Sequence, residues 1–319
     1  MAQSQLSMED RILGGLWGLL IGDALGVPYE FKQAHELPPA DQIDMQPPTD
    51  FSRTYPSIPP GTWSDDGAQA LALLDSLLTC DQLDVNDFAT RIIAWAERGE
   101  YAVDQNVFDI GVQTSEALRA IQHHGVPPAK AGFIRSEGKG NGSLMRVLPL
   151  ALWHLGTDEA LVHDAHLQSV VTHGHETNQA CCALYCLWAR RLIQGLPWEE
   201  AYADALRVLR DIYKNQPTHE QALEWEIRPD SEPFSDGSGY VVASLHAARL
   251  SLKNDTYVGA VKAAIQLGQD TDTNAAIVGG LAGLRDGIQA IPTHWRTQLR
   301  GHEIVNPLAK KLLEHRKPD

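Results

Sequence analysis

The stretch Gln269-Asp270-Thr271-Asp272-Thr273-Asn274, followed at once by Ala275-Ala276-Ile277-Val278-Gly279-Gly280, sets the reading of the whole chain. It gathers two carboxylates, two hydroxyls and amide groups within six residues and then turns into a helix of small apolar residues, so polar oxygens stand at the mouth of a buried element. Mg²⁺, Mn²⁺ and Ca²⁺ take oxygen ligands, and an Asp-x-Asp-Thr turn aims several at one point. Two carboxylates this close repel unless a cation lies between them. A calcium loop of the EF-hand type begins with the same alternation at Asp270, Asp272 and Asn274. Its required Gly falls on Ala275 and its bidentate Glu on Leu281, which excludes it. The plainer alternative is that Asp272 or Thr273 only caps the following helix.

A second cluster of the same composition decides between the two. Gly61-Thr62-Trp63-Ser64-Asp65-Asp66-Gly67 precedes an apolar helical stretch from Ala68 to Leu78 and again places a hydroxyl and two carboxylates at a helix entrance. Alone, these residues read as a cap with an acidic first turn. Paired with Asp270 and Asp272, they read as the other half of a cation site.

Residues Asp10 to Ala24 read as a helix with Gly14, Gly18 and Gly22 four apart on one face, where another backbone can approach closely. The chain then leaves through Gly26 and Pro28 to Glu30, a carboxylate set between Tyr29 and Phe31. From Leu37 to Pro60 it is rich in Pro and polar residues, as in a surface excursion. Apolar spacing predicts further helices over 85–98, 109–122, 145–155, 158–171, 175–194, 197–213, 237–252, 256–267 and 273–287. No alternating β-branched run interrupts them, so the fold class is all-α. No regular repeat is present, and residues with metal chemistry lie near both ends, so one domain over 8–316 is expected. The polar stretch 214–236, with Pro217, Pro229 and Pro233, reads as a long loop.

With 43% hydrophobic and 21% charged residues among 319, the chain can bury a sizeable core, and its net charge of -15 opposes general affinity for nucleic acid or anionic membrane. Cys181, Cys182 and Cys186 share one apolar segment, with Cys80 apart, a poor pattern for a disulfide framework. The run from Ile12 to Leu20 reaches Asp23 too soon for a bilayer span. A soluble cytoplasmic protein is the expectation.

Other stretches carry weaker signals. Gly138-Lys139-Gly140-Asn141-Gly142-Ser143 could offer backbone N–H groups to a phosphate, although it matches neither a Walker loop nor a dinucleotide fingerprint. Thr172-His173-Gly174-His175-Glu176 with Cys182 and Cys186 invites a zinc reading, which the spacing of the two His residues opposes. Phe108-Asp109-Ile110-Gly111 sets a carboxylate among apolar residues, as a helix cap or as an acid or base of raised pKa. Ser238-Gly239-Tyr240 opens a helix that could line a pocket.

Taken in order, Gly22-Asp23-Ala24-Leu25-Gly26 with Glu30, Ser64-Asp65-Asp66, Gly140-Asn141-Gly142-Ser143 with Met145-Arg146, Thr172-His173, and Asp270-Thr271-Asp272-Thr273 before Gly279-Gly280 resemble the motifs of the ADP-ribosylglycohydrolase family. The resemblance runs from about Arg11 to Trp295. It implies an orthogonal bundle of helices with a binuclear Mg²⁺ or Mn²⁺ centre at the floor of an ADP-ribose cleft. Carried over residue by residue, Ser64, Asp65 and Asp66 with Asp270, Asp272 and Thr273 would hold two metals. Glu30 would lie beside them; Asn141, Gly142, Ser143 and Met145 would face the phosphates or ribose; His173 and Tyr240 would line the cleft. Two departures stand out: Ser64 replaces the family's usual Thr, and Gly67 stands where Thr or Ser is usual.

The activity implied is metal-assisted hydrolysis of the bond between the distal ribose and an acceptor side chain, with Glu30 and Asp109 as proton-transfer candidates and arginine as the preferred acceptor. The substrate would be an ADP-ribosylated protein or a small ADP-ribose conjugate. A serine adduct, O-acetyl-ADP-ribose and a non-catalytic ADP-ribose-binding module are the alternatives.

Overall fold

Ser7 starts the first helix by accepting the Asp10 N–H at 3.0 Å, and the helix then runs unbroken through its five glycines. In the computed structural model, which describes residues 6–317, fourteen α-helices follow one another. They are α1 (Met8–Gly26), α2 (Asp65–Cys80), α3 (Val85–Arg98), α4 (Val112–His124), α5 (Leu148–Trp153), α6 (Asp158–Val170) and α7 (Glu176–Ile193). The second half holds α8 (Trp198–Tyr213), α9 (Pro217–Gln221), α10 (Val241–Ser251), α11 (Tyr257–Ile265), α12 (Thr271–Asp286), α13 (Thr293–Gln298) and α14 (His302–His315). Among the described residues there is no strand, only two isolated bridges, Gln33 with Gly268 and Gly140 with Tyr240. The all-α expectation holds.

The glycine face of α1 meets α12 backbone to backbone. A Cβ added at Gly14 would lie 2.2 Å from the Gly283 carbonyl oxygen, at Gly18 2.3 Å from that of Gly279, and at Gly22 2.1 Å from that of Ala275. At Gly26 it would lie 2.4 Å from Cα of Asp272. Partner numbers fall as the α1 numbers rise, so the helices are antiparallel, and the C-terminal end of α1 lies against the N-terminal end of α12. Tyr257 on α11 locks the pair by donating its hydroxyl to the Gly18 carbonyl at 2.9 Å. Helix α1 is long and apolar enough to cross a membrane by length and composition, but nearly all of it is buried in the protein. Helix α7 runs through the same core, where Cys181, Cys182 and Cys186 are fully buried and, like Cys80, unpaired.

Several local expectations are corrected. The helix expected over 109–122 begins at Val112, with Gly111 as its N-cap, so Asp109 caps nothing. The helix expected over 145–155 is a 3₁₀ turn, Asn141–Ser143, followed by the short α5. The stretch 214–236 is not a plain loop: Pro217 occupies the first turn of α9, where its missing N–H costs nothing, and α9 runs on into a π-helical segment, Ala222–Ile227. The excursion from Leu37 to Pro60 holds a single short 3₁₀ turn, Ala40–Gln42, yet Ile43, Met45 and Ile58 are buried and anchor it to the core.

Replacing an open helical Gly by Ala stabilises a helix by roughly 1 kcal/mol. At Gly18 or Gly283 the added methyl meets backbone that cannot give way, so Gly18→Ala and Gly283→Ala are each expected to lower stability by about 2 kcal/mol or more in urea unfolding. A gain in stability would show that the two helices can part without cost.

Candidate active site

Helices α2 and α12 both begin beside a cleft of about 800 Å³, and the end of α1 adjoins them. Ser64 caps α2: its hydroxyl oxygen accepts the Asp66 N–H and its proton goes to Oδ2 of Asp66 at 2.9 Å. Asp270 stands at the N-cap of α12 but makes no side-chain cap bond; its Oδ2 accepts from Nδ2 of Asn141 at 2.8 Å instead. Asp272 and Thr273, the residues of the capping alternative, lie inside the first turn of α12 rather than at its N-cap, although Oδ1 of Asp272 accepts the N–H of Thr273. The Thr273 hydroxyl crosses to Oδ2 of Asp66 at 3.3 Å and ties the two helix entrances together.

Two groups of acids come within metal-binding reach, and they share one member. Carboxylate oxygens of Asp23, Asp66 and Asp272 lie within 4.8 Å of one another, and so do those of Glu30, Asp109 and Asp272. Unit charges that close repel by roughly 3 kcal/mol per pair at an effective dielectric constant of ~20. Burial pushes the Glu30 carboxyl up to about 10, aided by the charges of Asp109 and Asp270. Burial likewise raises Asp65, Asp66 and Asp272 well above the carboxylate range, and the surrounding acids add to it. Asp23 is raised to about 7 by burial, although the N–H groups of Ser64 and Gly67 donate to its two oxygens at 2.9 and 2.8 Å.

The donor set fits hard cations. Three buried oxygens, Oε2 of Glu30, Oδ1 of Asp66 and Oδ2 of Asp272, have no hydrogen-bond partner, although a buried polar atom is normally paired. All belong to the acids of the two groups, and oxygen-only donors of this kind suit Mg²⁺ or Mn²⁺. At Gly67, a Cβ would meet the Trp63 side chain at 2.8 Å and Leu20 at 2.9 Å, so no longer side chain fits there. The N–H of Gly67 still serves the site through Asp23.

The cleft walls are less regular. Asn141, Gly142, Met145 and His173 line one side; Glu30, Asp65, Asp109, Asp270 and Thr273 line the floor. Asp109 sits at φ 58 and accepts the Tyr55 hydroxyl at 3.0 Å; Phe31 and Gln269 at the rim also have φ near 60. Non-glycine residues pay about 1 kcal/mol or more for that conformation, so these three are held by their surroundings. Phe31 and Gln269 are held by short bonds of 2.6 Å, from Phe31 N–H to the Gln269 carbonyl and from Gln269 N–H to the Lys32 carbonyl. Burial raises the Asp109 carboxyl as well.

Two residues expected at the cleft stand elsewhere. Ser143 is fully buried behind the wall, where its Oγ accepts from Ser169 at 2.9 Å. Tyr240 is 40% exposed and outside the cleft lining; its backbone pairs with Gly140. The phosphate-cradle idea also weakens, since the Gly140 N–H goes to Gln113 and that of Asn141 to the Gly239 carbonyl. Conversely, sequence reasoning gave no site role to Asp23 or Tyr55. Asp23 carried a signal, a lone acid inside an apolar glycine helix; Tyr55, in a Pro-rich excursion, carried none.

Comparison with known proteins agrees with this geometry. The family model for ADP-ribosylglycohydrolase matches residues 4–319. An ADP-ribosylarginine hydrolase, Tri1, from Serratia proteamaculans (strain 568) is 30% identical over 306 residues, covering 95% of this chain and 79% of that protein. The ADP-ribosyl-[dinitrogen reductase] glycohydrolase of Rhodospirillum rubrum is 29% identical over 296 residues, covering 92% and 91%. A solved structure of an ADP-ribosylglycohydrolase-related protein complex superposes with a TM-score of 0.76 at 28% identity, covering 98% of this chain and 99% of that one. With nearly its whole length matched and its acids gathered where two helices begin, the chain belongs to the ADP-ribosylglycohydrolase family.

Proposed function

We propose that this glycohydrolase releases ADP-ribose from ADP-ribosylated arginine of a protein, using two Mg²⁺ or Mn²⁺ ions. The observation that supports it most is the pair of carboxylate groups joined through Asp272, with three unpartnered buried oxygens, one of them on Glu30 in the cleft lining. The relatives named for arginine-linked and dinitrogenase reductase-linked ADP-ribose favour a protein substrate. Ser64, Asp65 and Asp66 with Asp270, Asp272 and Thr273 would hold the ions; Asp66 and Asp272 belong to the two groups, and the other four stand at the same two helix starts. Bound there, the ions would supply Lewis acidity to the hydroxyls of the distal ribose and to the attacking water.

The chain's own residues do the rest. The bond from the ribose anomeric carbon to the guanidine nitrogen breaks and a bond to water oxygen forms; one water proton must leave and the nitrogen must depart protonated. Glu30, whose Oε2 is unpartnered, takes the role of positioning the water and, once bound cations offset the burial and neighbouring charges that raise its pKa, of receiving the water's proton. Asp109, held by Tyr55 and raised by burial, takes the acceptor side, where a retained proton or a contact with the departing guanidinium is needed. Release of ADP-ribose from arginine-, serine- and nucleic-acid-linked substrates, with and without Mg²⁺, tests the assignment; preference for the serine adduct would overturn the choice of arginine.

Asp272 is common to both groups, so Asp272→Ala is expected to reduce turnover to background while far-ultraviolet circular dichroism stays helical; near-normal rates at saturating metal would count against a metal centre. Asp109→Asn should slow the arginine-linked substrate by about 10²-fold to 10⁴-fold and spare a substrate whose leaving group needs no proton, while Glu30→Gln slows both. Equal losses for Asp109→Asn would remove its acceptor-side role.

A pH dependence follows from the raised acids. Their folded pKa values exceed the ordinary ones, from 3.8 to about 7 for Asp23 and from 4.5 to about 10 for Glu30. Their contribution is complete below pH ~4 and is lost as pH rises through those values, because the unfolded chain releases its protons first. In EDTA the Tm should therefore fall from about pH 4 to pH 8. Metal at ~100 times its Kd should restore about 2.7 kcal/mol per site. Superimposable melts with EDTA and Mn²⁺ would exclude binding.

A further inference from the structure

Behind the cleft wall Arg146 is fully buried and makes no ion pair among the described residues, although a buried charge is costly unless its hydrogen bonds are satisfied. Its guanidinium donates through Nη1 to Oε1 of Gln69 at 2.8 Å, through Nε to Oε1 of Gln168 at 3.2 Å, and through Nη2 to the Gln168 carbonyl at 3.1 Å. Nη2 also donates to Oγ1 of Thr172 at 2.8 Å, and the ring of Phe88 lies 5.2 Å away. Gln69 in turn donates through Nε2 to Oδ2 of Asp65 at 3.1 Å, so the amide links the cation to the acid floor.

Guanidinium has donors and no acceptor, and this gives the network a direction. The Thr172 oxygen accepts from Arg146, and among the described residues the one acceptor within reach of its proton is Nδ1 of His173, 2.7 Å away. Nδ1 then accepts, and the ring proton resides on Nε2. Burial and the charge of Arg146 press His173 down to about 3, so the ring is neutral. His173 lines the cleft, and the glycines beside it leave the ring its place: a Cβ at Gly142 would lie 2.7 Å from Cε1 and 3.1 Å from Nε2.

We propose that Arg146 and Thr172 are positioning residues that fix His173 as a neutral Nε2–H donor for an anionic oxygen of the substrate's pyrophosphate. The identity of that anion rests on the ADP-ribose reading; the tautomer does not. A neutral ring fixed by this chain donates without a proton to lose at working pH, and the opposite tautomer would leave the buried Thr172 proton without an acceptor among the described residues.

The test is ¹⁵N nuclear magnetic resonance of histidine-labelled full-length protein at pH 7, with His173 assigned by its absence from His173→Gln. Wild type and Thr172→Ser should show His173 protonated on Nε2 alone, and Thr172→Val should show a mixture or the reverse tautomer. Titration calorimetry with ADP-ribose should give about tenfold weaker binding for Thr172→Val, near the wild-type Kd for Thr172→Ser, and no further loss for Thr172→Val in a His173→Gln background. Protonation of Nδ1 in the wild type, or an unchanged tautomer and affinity in Thr172→Val, overturns the inference. Wild-type protein that fails to bind ADP-ribose would instead refute the proposed substrate, and the tautomer signature would still decide the positioning role.

Discussion

The backbone contact between α1 and α12 is the constraint on which the rest depends. Because a Cβ at Gly14, Gly18, Gly22 or Gly26 would run into the facing helix, the two axes approach as closely as backbones allow over the whole of α1. Antiparallel geometry then delivers Asp23 and Glu30, at the end of one helix, to Asp270, Asp272 and Thr273, at the start of the other, across about 240 residues of intervening chain. Any side chain on that face would separate the acids by its own width, so the small residues govern the spacing at the floor as well as the core.

That spacing creates an electrostatic problem which the protein solves only in part. Asp23, Asp65, Asp66 and Asp272 are wholly or nearly buried, Glu30 is 2% exposed and Asp270 is half-buried. Two helix N-termini offer partial positive charge, and backbone N–H groups, Asn141 and Gln69 each take one or two oxygens. The one buried guanidinium in the neighbourhood, Arg146, stands behind Gln69 rather than in the cluster. Everything the chain could use to quiet these acids is placed at the periphery, and the oxygens facing the middle are left bare. A fold that needed only stability would have paired them or dispensed with them.

The sequence carried the floor far better than the walls. Ser64, Asp65, Asp66, Asp270, Asp272 and Thr273 were legible because each sits within a residue or two of a helix start, where hydroxyls and acids crowd before an apolar run. The glycine spacing in α1 was legible for the same reason, as a period that belongs to one helical face. Tyr55 and the buried side of Ser143 were not. Tyr55 reaches Asp109 through an irregular segment whose path no local pattern encodes, and Ser143 is turned inward at the end of the 3₁₀ turn Asn141–Ser143, where the apolar spacing predicts a helix only from 145. The helix at Pro217 was missed because proline was weighed as a breaker and not as a first-turn residue.

This division between floor and wall carries a mechanistic consequence. Asp23, Asp65, Asp66 and Asp272 ride on helices locked by close packing, so their mutual distances change little, as the proposed cation centre would require. Phe31, Asp109 and Gln269, by contrast, reach the cleft from irregular backbone held at positive φ by neighbours. Asp109 is the one acid that belongs to both worlds: it shares the second carboxylate group with Glu30 and Asp272, yet its place depends on a loop and on the hydroxyl of Tyr55 from another loop. A different leaving group on the same ADP-ribose can therefore be accommodated by redrawing the loops around Asp109 without moving the floor, and that is where members of one family with different acceptors are free to differ.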